Sequence, residues 1–281
     1  MINDSDKGNS TTGQYGETNA TPFFIIKIGG NVIDDEARLT SFLKDFAAVP
    51  GKKVLIHGGG KIATKIGQQL GIEPNYINGR RITDAATINL VTMVYGGLVN
   101  KQIVAKLQAF NCNAIGLTGA DANIIPAVKR PVKDIDYGFV GDIKCEAINT
   151  EILELLLQKN IAVVMAPLTH DGAGQVLNTN ADTIASSLAV SLSKNHTVRL
   201  IYCFEKKGVL ENVDDEDSVI RLITKEKYSE LQAGNKLFDG ILPKIDNAFA
   251  AIEQGVNEVL IGDAGDLLQN VTRNTKGTLI K

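Results

Sequence analysis

The chain has 281 residues, 44% of them hydrophobic and 22% charged, with a formal net charge of -3. That length admits one large domain or two modest ones around a full apolar core, and the charge balance excludes the basic face of a nucleic-acid binder. No apolar run approaches the ~20 residues that span a bilayer. The three cysteines, Cys112, Cys145 and Cys203, form neither a zinc pattern nor a disulfide framework and read as free thiols in the cytoplasm.

Residues 1–21 are polar, with no signal-peptide core and no helical periodicity, which predicts a disordered leader. Phe23 to Ile28 then forms an apolar run that ends at Gly29 and Gly30, a buried strand followed by a turn. A helix is expected over Ala37 to Ala47 and a second strand over Val54 to His57, closed by Gly58, Gly59 and Gly60. Ile62, Ile66 and Leu70 fall on one helical face, with Gly71 as the stop. Thr83 is the expected cap of a long helix through Leu90, Val94 and Leu98 toward Phe110. Further on come a strand at Ala114 to Leu117, a hairpin over Pro126 to Lys144, a helix at Glu151 to Gln158 and a strand at Ile161 to Ala166. Asn180 caps a helix carrying Ile184, Leu188 and Leu192. The last third repeats the theme: strand Val198 to Cys203, helices near Lys225 to Gln232 and Pro243 to Glu253, strand Glu258 to Ile261. Such alternation implies an α/β fold with a mainly parallel central sheet. The break at Lys194 to His196 divides it into lobes 22–194 and 195–281.

Parallel sheets bind ligands at the carboxyl ends of their strands, and two of those ends here carry glycine turns. Backbone N–H groups exposed at such a turn, near a helix N-terminus, take phosphate or carboxylate. Neither turn is a Walker A loop. Gly58, Gly60 and Ala63 fit the spacing of a dinucleotide-binding turn, yet about twenty residues on the chain has Gly79-Arg80-Arg81 in place of a ribose-binding acid. Arginine there suits an anionic substrate. Taken singly, Lys27 reads as a strand-end lysine reaching for water, Lys244 and Asp182 as ordinary first-turn residues, and Arg81 as a surface charge.

Taken in order, the segments Lys27-Ile28-Gly29-Gly30, His57-Gly58-Gly59-Gly60, Gly79-Arg80-Arg81-Ile82-Thr83, Asn178-Thr179-Asn180-Ala181-Asp182 and Gly240-Ile241-Leu242-Pro243-Lys244 resemble the N-acetylglutamate kinase branch of the amino acid kinase family. The likeness runs from Phe23 to the C-terminus. It implies an open αβα sandwich, with the acylglutamate in the N-terminal lobe and ATP, with Mg2+, in the C-terminal lobe. By position, Gly59, Gly60, Arg81 and Asn178 would bind substrate. Lys27 and Lys244 would stabilise the transferring phosphoryl group, and Asp182 would orient them. Gly29, Gly30, Gly58 and Gly208 would contact the nucleotide, and no protein metal ligand is expected. Two stretches depart from the family pattern. Cys203-Phe204-Glu205-Lys206-Lys207-Gly208 carries glutamate where an aspartate is usual, and Gly119-Ala120-Asp121 stands where many relatives have Gly-Lys-Asp.

The implied reaction gives the γ-acyl phosphate of an N-acylglutamate, in arginine biosynthesis. A carboxylate nucleophile is already ionised and needs no general base, so His57 reads as structural. The acyl group is acetyl in the first reading and succinyl in the second. Rival readings are a sister kinase for aspartate, glutamate or carbamate, a dehydrogenase, and an inactive ligand sensor. The long helix expected from Thr83 to Phe110 has a broad apolar face, and burying it against a twofold mate predicts a homodimer. The leader lacks the amphipathic helix of arginine-inhibited members, so arginine is not expected to inhibit.

Overall fold

Alternation along the first strand sets the architecture. In β1 (Phe23–Ile28), Phe23 and Ile25 join one apolar cluster, while Phe24, Ile26 and Ile28 join another on the opposite side. Both faces are buried, as expected inside a parallel sheet covered by helices. The computed structural model describes residues 22–281 except 78, 213, 235–236 and 238–240. The leader expected at 1–21 and Gly240 lie outside the described residues.

The chain continues through α1 (Gly30–Ile33), α2 (Glu36–Ala48), β2 (Lys53–Ile56) and α3 (Gly60–Gln69) to a short ribbon, β3 (Tyr76–Ile77) and β4 (Arg80–Arg81). Next come α4 (Ala85–Val91), a π-helical stretch (Thr92–Val99), α5 (Asn100–Ala109), β5 (Ala114–Leu117) and the hairpin β6 (Ala127–Lys129) and β7 (Gly141–Ile143). They are followed by α6 (Glu151–Gln158), β8 (Ala162–Met165), the hairpin β9 (Leu168–His170) and β10 (Val176–Asn178), and α7 (Ala181–Ser193). The remainder is β11 (Val198–Phe204), β12 (Leu222–Ile223), α8 (Lys225–Ala233), α9 (Leu242–Glu253), β13 (Glu258–Asp263), α10 (Leu267–Asn270) and β14 (Thr278–Ile280).

Eight of these strands make one sheet in the order β12–β14–β13–β11–β1–β2–β8–β5. Its pairs are parallel except β13 with β14. Helices α6, α7, α8 and α9 cover one face, and α2, α4, α5 and α10 the other, which is the αβα sandwich that the resemblance implies. The boundary drawn at 194/195 falls between α7 and β11, and the sheet runs across it because β1 pairs with β11.

Local chemistry explains the helix starts. The Asp35 carboxylate accepts from the N–H groups of Ala37 and Arg38, and the Asn180 side chain from those of Asp182 and Thr183. Thr83 is not a cap. It is fully buried, donates to the Arg81 carbonyl and accepts from Asn178 Nδ2 at 3.0 Å. The cap is its neighbour Asp84, which accepts from the Thr87 N–H at 2.8 Å. The expected long helix is also not uniform: it widens into π-helix over Thr92–Val99 before resuming as α5. The elements without a periodic signal, α1, β3, β4, β12 and β14, have four residues or fewer.

At the end of β2, His57 is completely buried, with Nδ1 2.7 Å from the Gly58 carbonyl and Nε2 3.2 Å from Asn100 Nδ2. Burial pushes its pKa down to about 4, with the Gly58 hydrogen bond and the Lys101 charge as smaller influences. The unfolded chain therefore takes up a proton, near the ordinary histidine value, that the folded chain refuses. Stability should fall as pH drops through that value and level off at the folded one, a loss of roughly 2 kcal/mol between about pH 7 and pH 5. Urea unfolding of wild type and His57→Gln across that range checks this. The difference between their stabilities should shrink toward acid, and parallel curves would refute it.

Candidate active site

The period of two in β1 puts Lys27 on the same face as Phe23 and Ile25, toward α7. Asp182 stands in the first turn of α7. The two meet with Lys27 Nζ 2.8 Å from Asp182 Oδ1, and Lys244 Nζ, from the first turn of α9, lies 3.8 Å from Oδ2. Lys27 is thus not a lysine reaching for water: its side chain is 14% exposed and paired. Burial alone would raise the Asp182 pKa, but the two ammonium groups outweigh it and hold the carboxyl below the ordinary range. Asp182 is ionised at neutral pH, and one carboxylate gathers two cations from segments far apart in sequence. Lys244 Nζ also sits 5.7 Å above the Phe204 ring.

Beside this triad opens a cleft of about 520 Å3, whose wall includes Gly58, Gly59, Gly60, Arg81, Asn178, Asp182 and Lys244. The glycine turn leads into α3, so the first N–H groups of that helix have no partner within it. Gly59 has φ +148°, and a Cβ there would lie 3.0 Å from Tyr95 Cδ1. The conformation favours glycine, and the tight contact with the Tyr95 ring adds to that preference. Arg81 is buried. Its Nη2 donates to the Gly60 carbonyl at 2.9 Å, to Thr64 Oγ1 at 2.8 Å and to the Tyr76 hydroxyl, and its guanidinium lies 4.7 Å over the Tyr76 ring. These bonds use one nitrogen and fix the plane of the fork. Arg80 and Arg130 also border the cleft, the latter held by Asp142 through Nε at 3.0 Å and Nη2 at 2.6 Å. The wall carries four cations, Arg80, Arg81, Arg130 and Lys244, against one carboxylate, Asp182, an environment for an anion.

The other glycine turn lies at the neighbouring strand end, where the Gly29 N–H donates to the Cys203 carbonyl at 2.9 Å and Gly30 opens α1. Glu205, the departure at the end of β11, accepts from Asn31 Nδ2 at 2.9 Å. Gly208 is buried, and a Cβ on it would meet Thr278 Oγ1 and Val219 Cγ1, each at 2.7 Å, so packing requires glycine there. In the second departure, the Asp121 carboxylate caps its own turn, accepting from the Thr118 N–H at 2.6 Å and its hydroxyl at 2.9 Å. Among the described residues no three His, Cys, Asp or Glu side chains group to hold a metal ion.

Residue reading missed Tyr76, Tyr95, Thr64 and Arg130. Tyr76 and Arg81 pair across a ribbon too short to show a period, and Tyr95 faces Gly59 from the π-helical stretch. Only for Thr64 was a signal present, since it lies four residues after Gly60, one turn along α3.

Comparison with known proteins adds the relatives. A family model described as the Amino acid kinase family matches residues 22–263. An acetylglutamate kinase of Cytophaga hutchinsonii is 56% identical over 257 residues, covering 91% of this chain and 97% of that protein. One of Bacteroides thetaiotaomicron is 54% identical over 257 residues, covering 92% and 97%. Among solved structures, N-acetylglutamate synthase from Neisseria gonorrhoeae, complexed with coenzyme A and N-acetyl-glutamate, matches with a TM-score of 0.77 at 25% identity, over 92% of this chain and 59% of that one.

Proposed function

The chain belongs to the amino acid kinase family, and on that premise we propose that it is an acetylglutamate kinase, transferring the γ-phosphoryl group of ATP to the γ-carboxylate of N-acetylglutamate in arginine biosynthesis. The observation that carries this reading at the site is the convergence of Lys27 and Lys244 on Asp182 beside the Gly58–Gly60 turn.

In the reaction a carboxylate oxygen forms a bond to the γ-phosphorus as the bond to the β–γ bridging oxygen breaks, and the electron pair leaves with ADP. No proton has to move. The obstacle is electrostatic, since two unit charges ~4 Å apart repel by about 4 kcal/mol at an effective dielectric of ~20. Lys27 and Lys244 supply the compensating charge as it shifts toward the leaving oxygen, while Asp182 keeps both side chains in place. The N–H groups of Gly59 and Gly60 serve the acceptor side, with Arg81 and Asn178 holding the rest of the acylglutamate. Residues 22–194 form the lobe for that substrate and 195–281 the lobe for ATP, with Gly29, Gly30, Gly58 and Gly208 the glycines of the nucleotide side. Of these, Gly208 acts through the packing of its loop. A magnesium ion would arrive with ATP and supply further positive charge to its phosphates. The setting is the cytoplasm, in keeping with three free thiols.

A succinyl group is the second reading. Arg80 and Arg130 border both the cleft and an adjoining cavity of about 460 Å3 that also contains Lys133. Asp134 and Asp142 line that cavity too, and Asp142 holds Arg130, so Arg80 and Lys133 are the cations a second carboxylate on the acyl group would meet.

We also assign a homodimer, formed through the π-helical stretch. Met93 and Leu98 are 58% and 41% exposed, and Gly97 between them has open space where a side chain would stand. Burying such a face against a twofold mate is the common solution.

ADP release measured with N-acetylglutamate, N-succinylglutamate, free glutamate and aspartate tests the substrate. The acylated acids should be turned over and the free ones not. Activity on free glutamate alone would remove the reading, and preference for the succinyl compound would select the second acyl group. Lys27→Ala and Lys244→Ala should each lower kcat by about 100-fold or more with little change in substrate binding. Arg81→Lys should raise KM for the acylglutamate and spare that for ATP, and equal effects on both would place Arg81 elsewhere. Light scattering should give the mass of two chains, and that of one would rule out the dimer.

A further inference from the structure

The glycine turn is held from behind by a polar chain that begins at an exposed lysine on α5 and runs into the core. Lys101 Nζ donates to the Gly116 carbonyl at 2.8 Å and to Asn100 Oδ1 at 3.1 Å. Asn100 Nδ2 donates to the Val164 carbonyl at 3.0 Å and lies 3.2 Å from His57 Nε2. Asn100 and His57 are 1% and 0% exposed. The amide orientation follows from its partners: only nitrogen can bond a carbonyl, and only oxygen can accept from an ammonium. His57 Nε2 therefore accepts, and its proton is on Nδ1, 2.7 Å from the Gly58 carbonyl. A neutral ring agrees with the burial that pushes its pKa to about 4.

In a trans peptide the carbonyl and the following N–H point in opposite directions. Drawing the Gly58 carbonyl toward His57 turns the Gly59 N–H away from the ring, and Gly59 borders the cleft. The rest of the molecule makes room for this arrangement. A Cβ on Gly116 would lie 1.8 Å from Asn100 Oδ1, so β5 carries glycine where the amide enters. The π-helical stretch ends at Val99, immediately before Asn100, and presents Tyr95 to Gly59. A π-helical stretch advances the chain around the axis by less per residue than an α-helix does, which sets where Asn100 points.

We propose that His57, fixed as its Nδ1–H tautomer by Asn100, is a positioning residue that aims the Gly59 N–H at the acceptor–phosphoryl group. The proposal rests on the kinase reading of the cleft and assigns His57 no proton transfer.

Asparagine at 57 keeps an N–H donor near the place of Nδ1, whereas glutamine reaches the place of Nε2 and leucine supplies no donor. His57→Leu and His57→Gln should lose about 100-fold in kcat, the cost of one misplaced oxyanion donor, with KM for ATP within about threefold. His57→Asn should recover most of that kcat although it fills less of the core. A purely structural role would make asparagine no better than leucine, and that ranking in folded variants would overturn the proposal. Nitrogen-15 NMR of the wild-type histidines supplies a readout free of activity. A protonated Nδ1 on His57 is expected, together with a shifted Gly59 amide in His57→Leu. A protonated Nε2 overturns the proposal, and it decides the matter alone if the leucine variant fails to fold. Wild type that releases no ADP with any acylglutamate would remove the kinase reading, and the tautomer would still test the positioning.

Discussion

A single carboxylate gathers the charges of the proposed site. Asp182 holds the ammonium groups of Lys27 and Lys244 at 2.8 Å and 3.8 Å, and without it two cations would face each other at a partly buried site. Removing one member of such a cluster leaves uncompensated charge, which costs more than the cluster is worth as a stabilising contact. The arrangement depends on three junctions of the fold: the carboxyl end of β1, the first turn of α7 and the first turn of α9. Asn180 secures the second by capping α7, and Pro243 suits the third because its missing N–H falls where a helix has no partner for one.

The glycine turn contributes backbone to the cleft rather than charge. N–H groups can be aimed only by fixing peptide planes, and glycine, which makes the turn possible, fixes nothing by itself. The rigidity comes from the surroundings. Tyr95 packs against Gly59, Arg81 ties the Gly60 carbonyl to Thr64 and Tyr76, and His57 holds the Gly58 carbonyl. Arg81 and His57 act through hydrogen bonds and Tyr95 through packing, so the turn is stiff although its residues are the most flexible available.

The stretches that depart from the family pattern have local explanations. Glu205 bonds Asn31 at the head of α1, linking the end of β11 to the turn after β1. Lys206 and Lys207 pair with Glu216 and Asp217 across their own loop, so both charges have partners outside the main cleft. Asp121 is used by its own turn.

The sequence by itself determined the fold class and most of the elements, because period-two and period-3.6 patterns are local: β1, α2, β2, α7 and β11 stand where the apolar spacing puts them. It also yielded Lys27, Asp182 and Lys244, through five short motifs in order rather than through any one residue's chemistry. The tertiary structure alone decided what those residues do to one another. The Lys27–Asp182 pair spans 155 positions, from 27 to 182, and no local pattern encodes such a contact. The cap at Asp84 in place of Thr83 has the same origin, since Thr83's hydroxyl is claimed by Asn178, 95 residues away. The π-helical stretch and the ribbon β3–β4 were equally illegible, because a helix widens and a two-residue strand forms only where packing from elsewhere compensates for the hydrogen bonds and the entropy they give up.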